Sequence, residues 1–370
     1  MKKGKLSESI LKRSVLKQIK TKNDEVIKGA GVGVDCAFLA WERGEREPEE
    51  ILTALSVQSV SLPVRDAGRL AFMAAVNNLA AGGAVPLAVM VSLVLPEETE
   101  EIWLKEIMKQ IEGCCKDLHM EIAGGHTEIS GSVKAPVITV TAIGKKYGLA
   151  EPYAKAETGG SRSACEKAET GGGWKACEKT EPDKGRKTCE KAEPDDLEIV
   201  LSKWIGLEGT AIIAKEKEEE LLSRYPLSLI KTAQSFEEYL SVLPEAATAL
   251  KSGTHAMHDS RNGGIFAALW ELSQRMGVGL NIDLKKIPVK QETIEVCEFY
   301  DLNPYELLSG GSLLMAAEDG KELVKELEKQ GIFAAVIGKT AKGNQKLILN
   351  DEEVRYLEPP KPDEIYRIKW

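Results

Sequence analysis

The sequence predicts a mixed α/β (α+β) protein of two domains, and three observations carry that prediction. Strand-like and helix-like patterns alternate from Ser56 to Ile143. The same alternation resumes at Leu197. Between them lies a stretch of different composition, built on a repeated twelve-residue unit. A length of 370 residues suits two domains plus an insertion. The expected divisions are 1–146, a low-complexity linker at 147–196, a second domain at 197–358 and a tail at 359–370.

The bulk composition narrows the function classes. Hydrophobic residues make up 43% and charged residues 29%, enough apolar material for packed cores. A net charge of -9 argues against a general nucleic-acid binder, which would carry a basic stripe. Small anions held by backbone amides stay compatible with it. No apolar run follows the basic Met1–Lys5 start, so no signal peptide is expected. Val85–Leu95 is the best apolar run and is too short to cross a bilayer. Seven cysteines without a secretory signal suggest reduced thiols and a cytoplasmic protein.

In the first domain, apolar residues at Leu6, Ile10, Leu11, Val15, Leu16 and Ile19 predict an amphipathic helix capped at Ser7. A glycine-rich run, Gly29 to Gly33, leads to a lone Asp35. It resembles a dinucleotide fingerprint only loosely, and no helix opens at its last glycine, so that reading is rejected. Ser56–Leu62 alternates as a strand does. Asp66 then opens a small-residue helix that contains Asn77 and Asn78 and ends at Gly82 and Gly83. The two adjacent amides either cap or touch a ligand. Val85–Leu95 is a strand, and Pro96 with Glu97 and Glu98 is expected to open a helix buried along Leu104, Met108, Ile111, Cys115 and Leu118. Cys114 and Cys115 read as core residues. Next comes I-A-G-G-H-T-E-I-S-G, expected as a tight turn with Gly124 and Gly125 at its apex and His126, Thr127 and Glu128 in succession. Pro136–Ile143 is a strand rich in β-branched residues.

From Lys155 the chain repeats K-A-E-T-G-G-type units with Cys165, Cys177 and Cys189 in phase. It has almost nothing to bury and is expected to be weakly ordered. Paired C-x-x-C spacing is absent, so tandem expansion of a linker accounts for it better than a metal site does. In the second domain, Glu198–Ser202 is a strand. The glycine turn before Thr210 leads into a helix near Ala211, and reads either as an anion site or as a plain strand-to-helix turn. Phe236–Leu250 is a helix. H-D-S-R-N-G-G, from His258 to Gly264, opens another, with Asp259 and Asn262 able to cap it. Leu307–Ala316 is a loop entering a strand. Lys321–Gln330 is an amphipathic helix, and Ala334–Gly338 and Leu347–Asn350 are strands.

Four motifs in this order, A-V-N-N-L-A-A-G-G-A-V-P, A-G-G-H-T-E, A-M-H-D-S-R-N-G-G-I-F-A-A-L-W-E-L and L-S-G-G-S-L-L-M-A, resemble the PurM-like superfamily. This superfamily joins aminoimidazole ribonucleotide (AIR) synthetase with the hydrogenase maturation factor HypE, and the chain looks nearest the AIR synthase-related, HypE-like branch. The resemblance spans nearly the whole chain apart from the repeats. It implies an N-terminal domain whose strands form a barrel across a homodimer, a C-terminal α+β domain, and ATP bound in the cleft between domains. It further implies phosphorylation of a carbonyl or amide oxygen of a small-molecule substrate. By the same match, Asp35, Asp66, Asn77, Asn78, Gly124, Gly125, Thr127, Asn262, Gly263 and Gly264 would face the nucleotide. His126, Glu128, His258 and Asp259 would carry the chemistry, with Asp35 a possible metal ligand.

The departures concern Mg²⁺ and the tail. Asn78 stands where the family has a carboxylate, and Gln58 stands where it has an aspartate. Neutral amides are poorer ligands for a hard cation. The chain as given ends R-I-K-W, so transfer to a C-terminal cysteine of the HypE kind is not expected. Three readings follow: an ATP-dependent enzyme, a nucleotide- or metabolite-binding relative without turnover, and an assembly factor that meets a protein partner through the repeats.

Overall fold

The computed structural model describes residues 4–40, 51–147 and 196–370; the twelve-residue repeats and their cysteines lie outside them. The N-terminal segment winds through a helical turn α1 (Glu8–Ile10), a π turn (Leu11–Val15) and a 3₁₀ turn (Leu16–Gln18), and none of its residues is buried. The expected helix is therefore present but irregular, and Ser7 makes no side-chain cap bond. An apolar stripe without a surface to cover gives a helix little reason to be regular.

Six strands form the first sheet, in the order β1 (Val26–Lys28), β2 (Ala37–Ala40), β3 (Ile51–Val60), β6 (Val137–Tyr147), β4 (Val85–Leu95) and β5 (Glu121–Ile129). Neighbours run antiparallel except β4 and β5, which are parallel. Helices α2 (Ala67–Ala81) and α3 (Glu101–Leu118) cover one face. Their burial explains the sequence pattern: alanines let α2 lie close, and Ile107, Ile111, Cys114 and Cys115 form the inner stripe of α3. That stripe is turned slightly from the expected one, in which Leu104, Met108 and Leu118 are only partly buried. Helix α3 also begins later than Pro96 suggests, because Pro96–Thr99 closes a turn first.

The larger correction concerns G-G-H-T-E. It is not a turn but most of strand β5, on the edge of the sheet. Gly125 explains why glycine is needed there. A Cβ on Gly125 would stand 1.8 Å from the Val91 carbonyl oxygen, so the backbone of β4 occupies the side-chain space, beside the register shift at Val89/Met90.

The second half carries a seven-stranded sheet in the order β13 (Glu353–Tyr356), β12 (Lys346–Asn350), β9 (Gly279–Asp283), β11 (Ala334–Ala341), β7 (Glu198–Ser202), β10 (Leu313–Ala317) and β8 (Ala256–Asp259). Its helices are α4 (Leu207–Glu216), α5 (Glu218–Leu221), α6 (Leu227–Ser235), α7 (Leu243–Lys251), α8 (Gly264–Met276), α9 (Gln291–Phe299) and α10 (Gly320–Lys329). The predicted Phe236–Leu250 helix is broken into a 3₁₀ turn at Phe236–Tyr239 and α7. Strand β10 reads L-L-M-A-A because both of its faces are buried. Leu314 and Ala316 join the core under α8, whereas Leu313, Met315 and Ala317 join the one under α10. Fully burying each leucine or methionine contributes roughly 1.5–3 kcal/mol.

The second of these cores runs without a break into the first half, from Leu313 and Leu243 to Phe72 and Leu79. Polar ties reinforce it. The Asn77 side chain donates to the Leu240 carbonyl (2.7 Å) and accepts from the Val242 N–H (3.1 Å), and Lys215 pairs with Asp66 at 2.8 Å. The 359–370 segment is packed as well. Asp363 accepts from the N–H groups of Gly263, Leu308 and Ile365, and Ile365 is fully buried.

Candidate nucleotide cavity between the two halves

A cavity of about 360 Å³ opens where the two halves meet. Its walls come from places far apart in sequence: the N-terminal segment at Lys5, the loop Gly29–Ala37, strand β3 at Gln58, helix α2 at Asn78, the end of β8 at His258 and Asp259, helix α8 at Glu271, and the C-terminal segment at Pro360. Chain geometry explains the convergence. The loop can lie directly on α8 because Gly33 has φ +69° and no side chain; a Cβ there would stand 2.4 Å from the Glu271 carbonyl oxygen. That contact brings Asp35 over the end of β8.

There His258 sits between two carboxylates. Its Nδ1 lies 2.8 Å from Asp35 Oδ1, and its Nε2 lies 3.1 Å from Glu271 Oε2. Arg275, one turn beyond Glu271 on α8, reaches Asp35 Oδ2 at 3.3 Å and the Met257 carbonyl at 2.9 Å. Burial alone would make His258 harder to protonate. The charge and hydrogen bond of Asp35, with those of Glu271, outweigh it and raise His258 to about 9. At neutral pH the ring is an imidazolium donating from both nitrogens. It is a fixed cation that orients two acids, and it has no lone pair with which to act as a base. Burial would also raise Glu271, but His258 and the Lys5 ammonium bring it down to about 2.

Asp259 behaves differently. It is 6% exposed and lines the cavity, and its Oδ1 has no hydrogen-bond partner in the protein. Burial first, and then the nearby charge of Asp35, raise it to about 7, against the opposing pull of Arg261 and His258. Arg261 is itself committed to Glu208 by a forked pair at 3.0 and 2.7 Å. A carboxyl that changes charge near neutrality in the wall of a cavity suits proton transfer.

The remaining sequence candidates distribute as follows. Asn78 and Asn262 line the same cavity. Asn77 is spent on the backbone at Leu240 and Val242, and Asp66 on Lys215. The Gly263 and Gly264 N–H groups go to Asp363 (2.6 Å) and to the Arg261 carbonyl (3.1 Å). Gly124, Gly125, His126, Thr127 and Glu128 lie on the open edge strand, outside the cavity lining. His126 and Glu128 are exposed and 3.2 Å apart. The glycine turn at Gly206 has its amides bonded to Ser309 Oγ (2.8 Å) and, through Gly209, to the Leu308 carbonyl (3.0 Å), which favours the plain-turn reading over an anion site.

Sequence reading missed Glu271, Arg275 and Lys5. Glu271 left a signal, since it is the one acid in the apolar run I-F-A-A-L-W-E-L, where a buried carboxylate needs a partner. The donor set does not fit a carboxylate-held Mg²⁺. Asp35 gives its oxygens to His258 and Arg275, Gln58 and Asn78 are neutral, and among the described residues no group of three metal-ligating side chains is arranged around an ion.

The sequence matches the model of AIR synthase related protein, N-terminal domain, over residues 33–145, and that of the C-terminal domain over residues 193–350. A Methanocaldococcus jannaschii protein named for hydrogenase expression and formation is 26% identical over 94% of this chain and 91% of its own length. The carbamoyl dehydratase HypE of Rhodobacter capsulatus is 25% identical over 76% of this chain and 72% of its own. Among solved structures, the HypE–HypF complex superposes with a TM-score of 0.66 at 20% identity, covering 95% of this chain and 99% of the other. HypE in complex with ATP superposes with a TM-score of 0.61 at 16% identity, covering 96% and 95%. These likenesses, on a fold of two α/β halves meeting at a cavity, establish that the chain belongs to the AIR synthase-related family and is a PurM-like, HypE-like protein.

Proposed function

We propose that this protein binds ATP in the cavity between its two halves and uses it to activate a carbonyl or amide oxygen of a small molecule. The observation that carries the reading is the convergence at one cavity of the Gly29–Ala37 loop, Asn78 and the His258–Asn262 turn. A loop with three glycines presents backbone N–H groups at close range, as phosphates require. ATP, when bound, supplies a phosphoryl group that turns the oxygen into a leaving group. The chain's own part is proton handling and positioning. The Asp259 carboxylate accepts the proton that an amide nitrogen gives up as its oxygen reacts. His258 stays protonated and holds Asp35 and Glu271 in place around that point. His126 and Glu128 enter the reading only through a second copy packed on the first sheet. The cytoplasm and a homodimer belong to the same proposal, and a protein partner is suggested by the HypF-bound neighbour. Among the described residues no helix is long and apolar enough to cross a membrane.

Calorimetric titration of the full chain with ATP, followed by phosphate release with candidate carboxamides, tests this. The expected result is saturable binding, with release that rises as pH passes upward through about 7, where Asp259 loses its proton. Asp259→Asn should keep ATP affinity and lose roughly a hundredfold or more in release. No ATP binding would overturn the reading. A second reading, a nucleotide-binding relative without turnover, is favoured by the neutral Gln58 and Asn78 in the cavity wall. Binding without release, with release gained in Asn78→Asp, would establish that alternative.

A further inference from the structure

The cavity wall contains three cationic side chains, and they differ in freedom. His258 is buried and locked between Asp35 and Glu271, and the half-buried Arg261 is forked onto Glu208. Lys5 has a side chain 46% exposed and reaches Glu271 Oε1 at 2.6 Å. Glu271 keeps a partner without it, because its other oxygen is held by His258 at 3.1 Å. The ammonium can therefore leave Glu271 without stranding a buried charge.

Two contacts tether the segment on either side of Lys5. Gly4 lies flat on the Tyr366 ring, where a Cβ would come within 2.8 Å of a ring carbon. Glu8 accepts a 2.5 Å hydrogen bond from the Trp270 indole. Lys5 thus lines the cavity from a segment with no buried residue, Gly4–Gln18. Such a segment is cheap to rearrange and gains order if a ligand holds it. A lysine ammonium is a compact charge on a flexible stem and can follow a phosphate. In the same cavity wall, Gln58 and Asn78 offer neutral amides, and Asp35 is already paired.

We infer that Lys5 is the phosphate-binding cation of this cavity, neutralising the charge that a carboxylate-held Mg²⁺ would otherwise neutralise, and that a bound nucleotide clamps Gly4–Gln18 over the site. The inference rests on the nucleotide reading above. Its test is calorimetry of the full chain with ATP in excess EDTA, using adenosine as the phosphate-free control. The wild type should bind ATP without metal. Lys5→Ala should lose roughly tenfold or more in ATP affinity, about the worth of one charge-assisted contact, with adenosine binding unchanged. Lys5→Arg should regain most of the loss. Hydrogen exchange across Gly4–Gln18 should slow on adding ATP in the wild type and not in Lys5→Ala. Equal ATP affinity in wild type and Lys5→Ala, or wild-type binding that requires Mg²⁺, overturns the role of Lys5 while leaving the nucleotide reading intact. A wild type that binds neither ATP nor adenosine removes both.

Discussion

At the scale of single residues, the site is an arrangement of charges that restrain one another. His258 goes from 6.5 to about 9 on folding, a change worth roughly 3 kcal/mol of stability. Because the folded state holds the proton more tightly, that contribution is complete below about pH 6.5 and disappears as pH rises through about 9. Denaturant unfolding of wild type and His258→Gln at several pH values measures it. The variant should be the less stable by several kcal/mol at pH 6, and the gap should close by pH 10. A constant gap would show that the ring contributes packing and not charge. The sequence singled out His258 and Asp259 because both stand in a short polar motif. It marked Glu271 only as a lone acid in an apolar helix, and it concealed Arg275, which acquires its carboxylate partner only when Asp35, more than two hundred positions away, is brought over β8.

At the scale of elements, G-G-H-T-E shows where local reading failed. Two glycines followed by polar residues look like a turn, yet they form a parallel edge strand. What overrode the local signal was non-local pairing with β4, which no window of sequence contains. The two glycines should respond unequally to alanine. Gly124 has φ +155° and nothing nearer than a methionine methyl at 4.0 Å, so Gly124→Ala carries only backbone strain, roughly 1–2 kcal/mol. Gly125 adds a collision with the Val91 carbonyl that no side-chain rotation relieves. Gly125→Ala should therefore cost at least about 2 kcal/mol more than Gly124→Ala in unfolding free energy. Equal losses would mean that β5 is held less closely against β4 than the register implies. Strands whose pattern was itself diagnostic, such as β4 and β7, were legible at once, because burial on one or both faces imprints their composition.

At the scale of the whole molecule, the two halves bury their sheets differently. The second sheet is covered on both faces, whereas the first is covered on one, by α2 and α3. On its open face Val57, Thr141 and Met90 stand side by side across β3, β6 and β4, with Val57 59% and Met90 46% exposed. Leu87 on β4 and Ile129 on the neighbouring edge strand are exposed too. An apolar sheet face with an unpaired edge favours association, since monomers rarely leave such surfaces open. The full chain is therefore expected to sediment at twice its monomer mass. Charging the middle of the face with Val57→Lys and Met90→Lys should return it to the monomer while leaving the inner core, and so the thermal midpoint, little changed. A wild type monomeric across the accessible concentration range would rule the dimer out. The same variants locate His126 and Glu128 in function. These residues lie on the edge of the open sheet and outside the cavity of their own chain. If the monomeric variant binds ATP as the wild type does but no longer releases phosphate, the edge strand serves the chemistry of a second copy. If it does both as well as the wild type, G-G-H-T-E is a structural strand and the chemistry belongs to Asp259 and its own cavity.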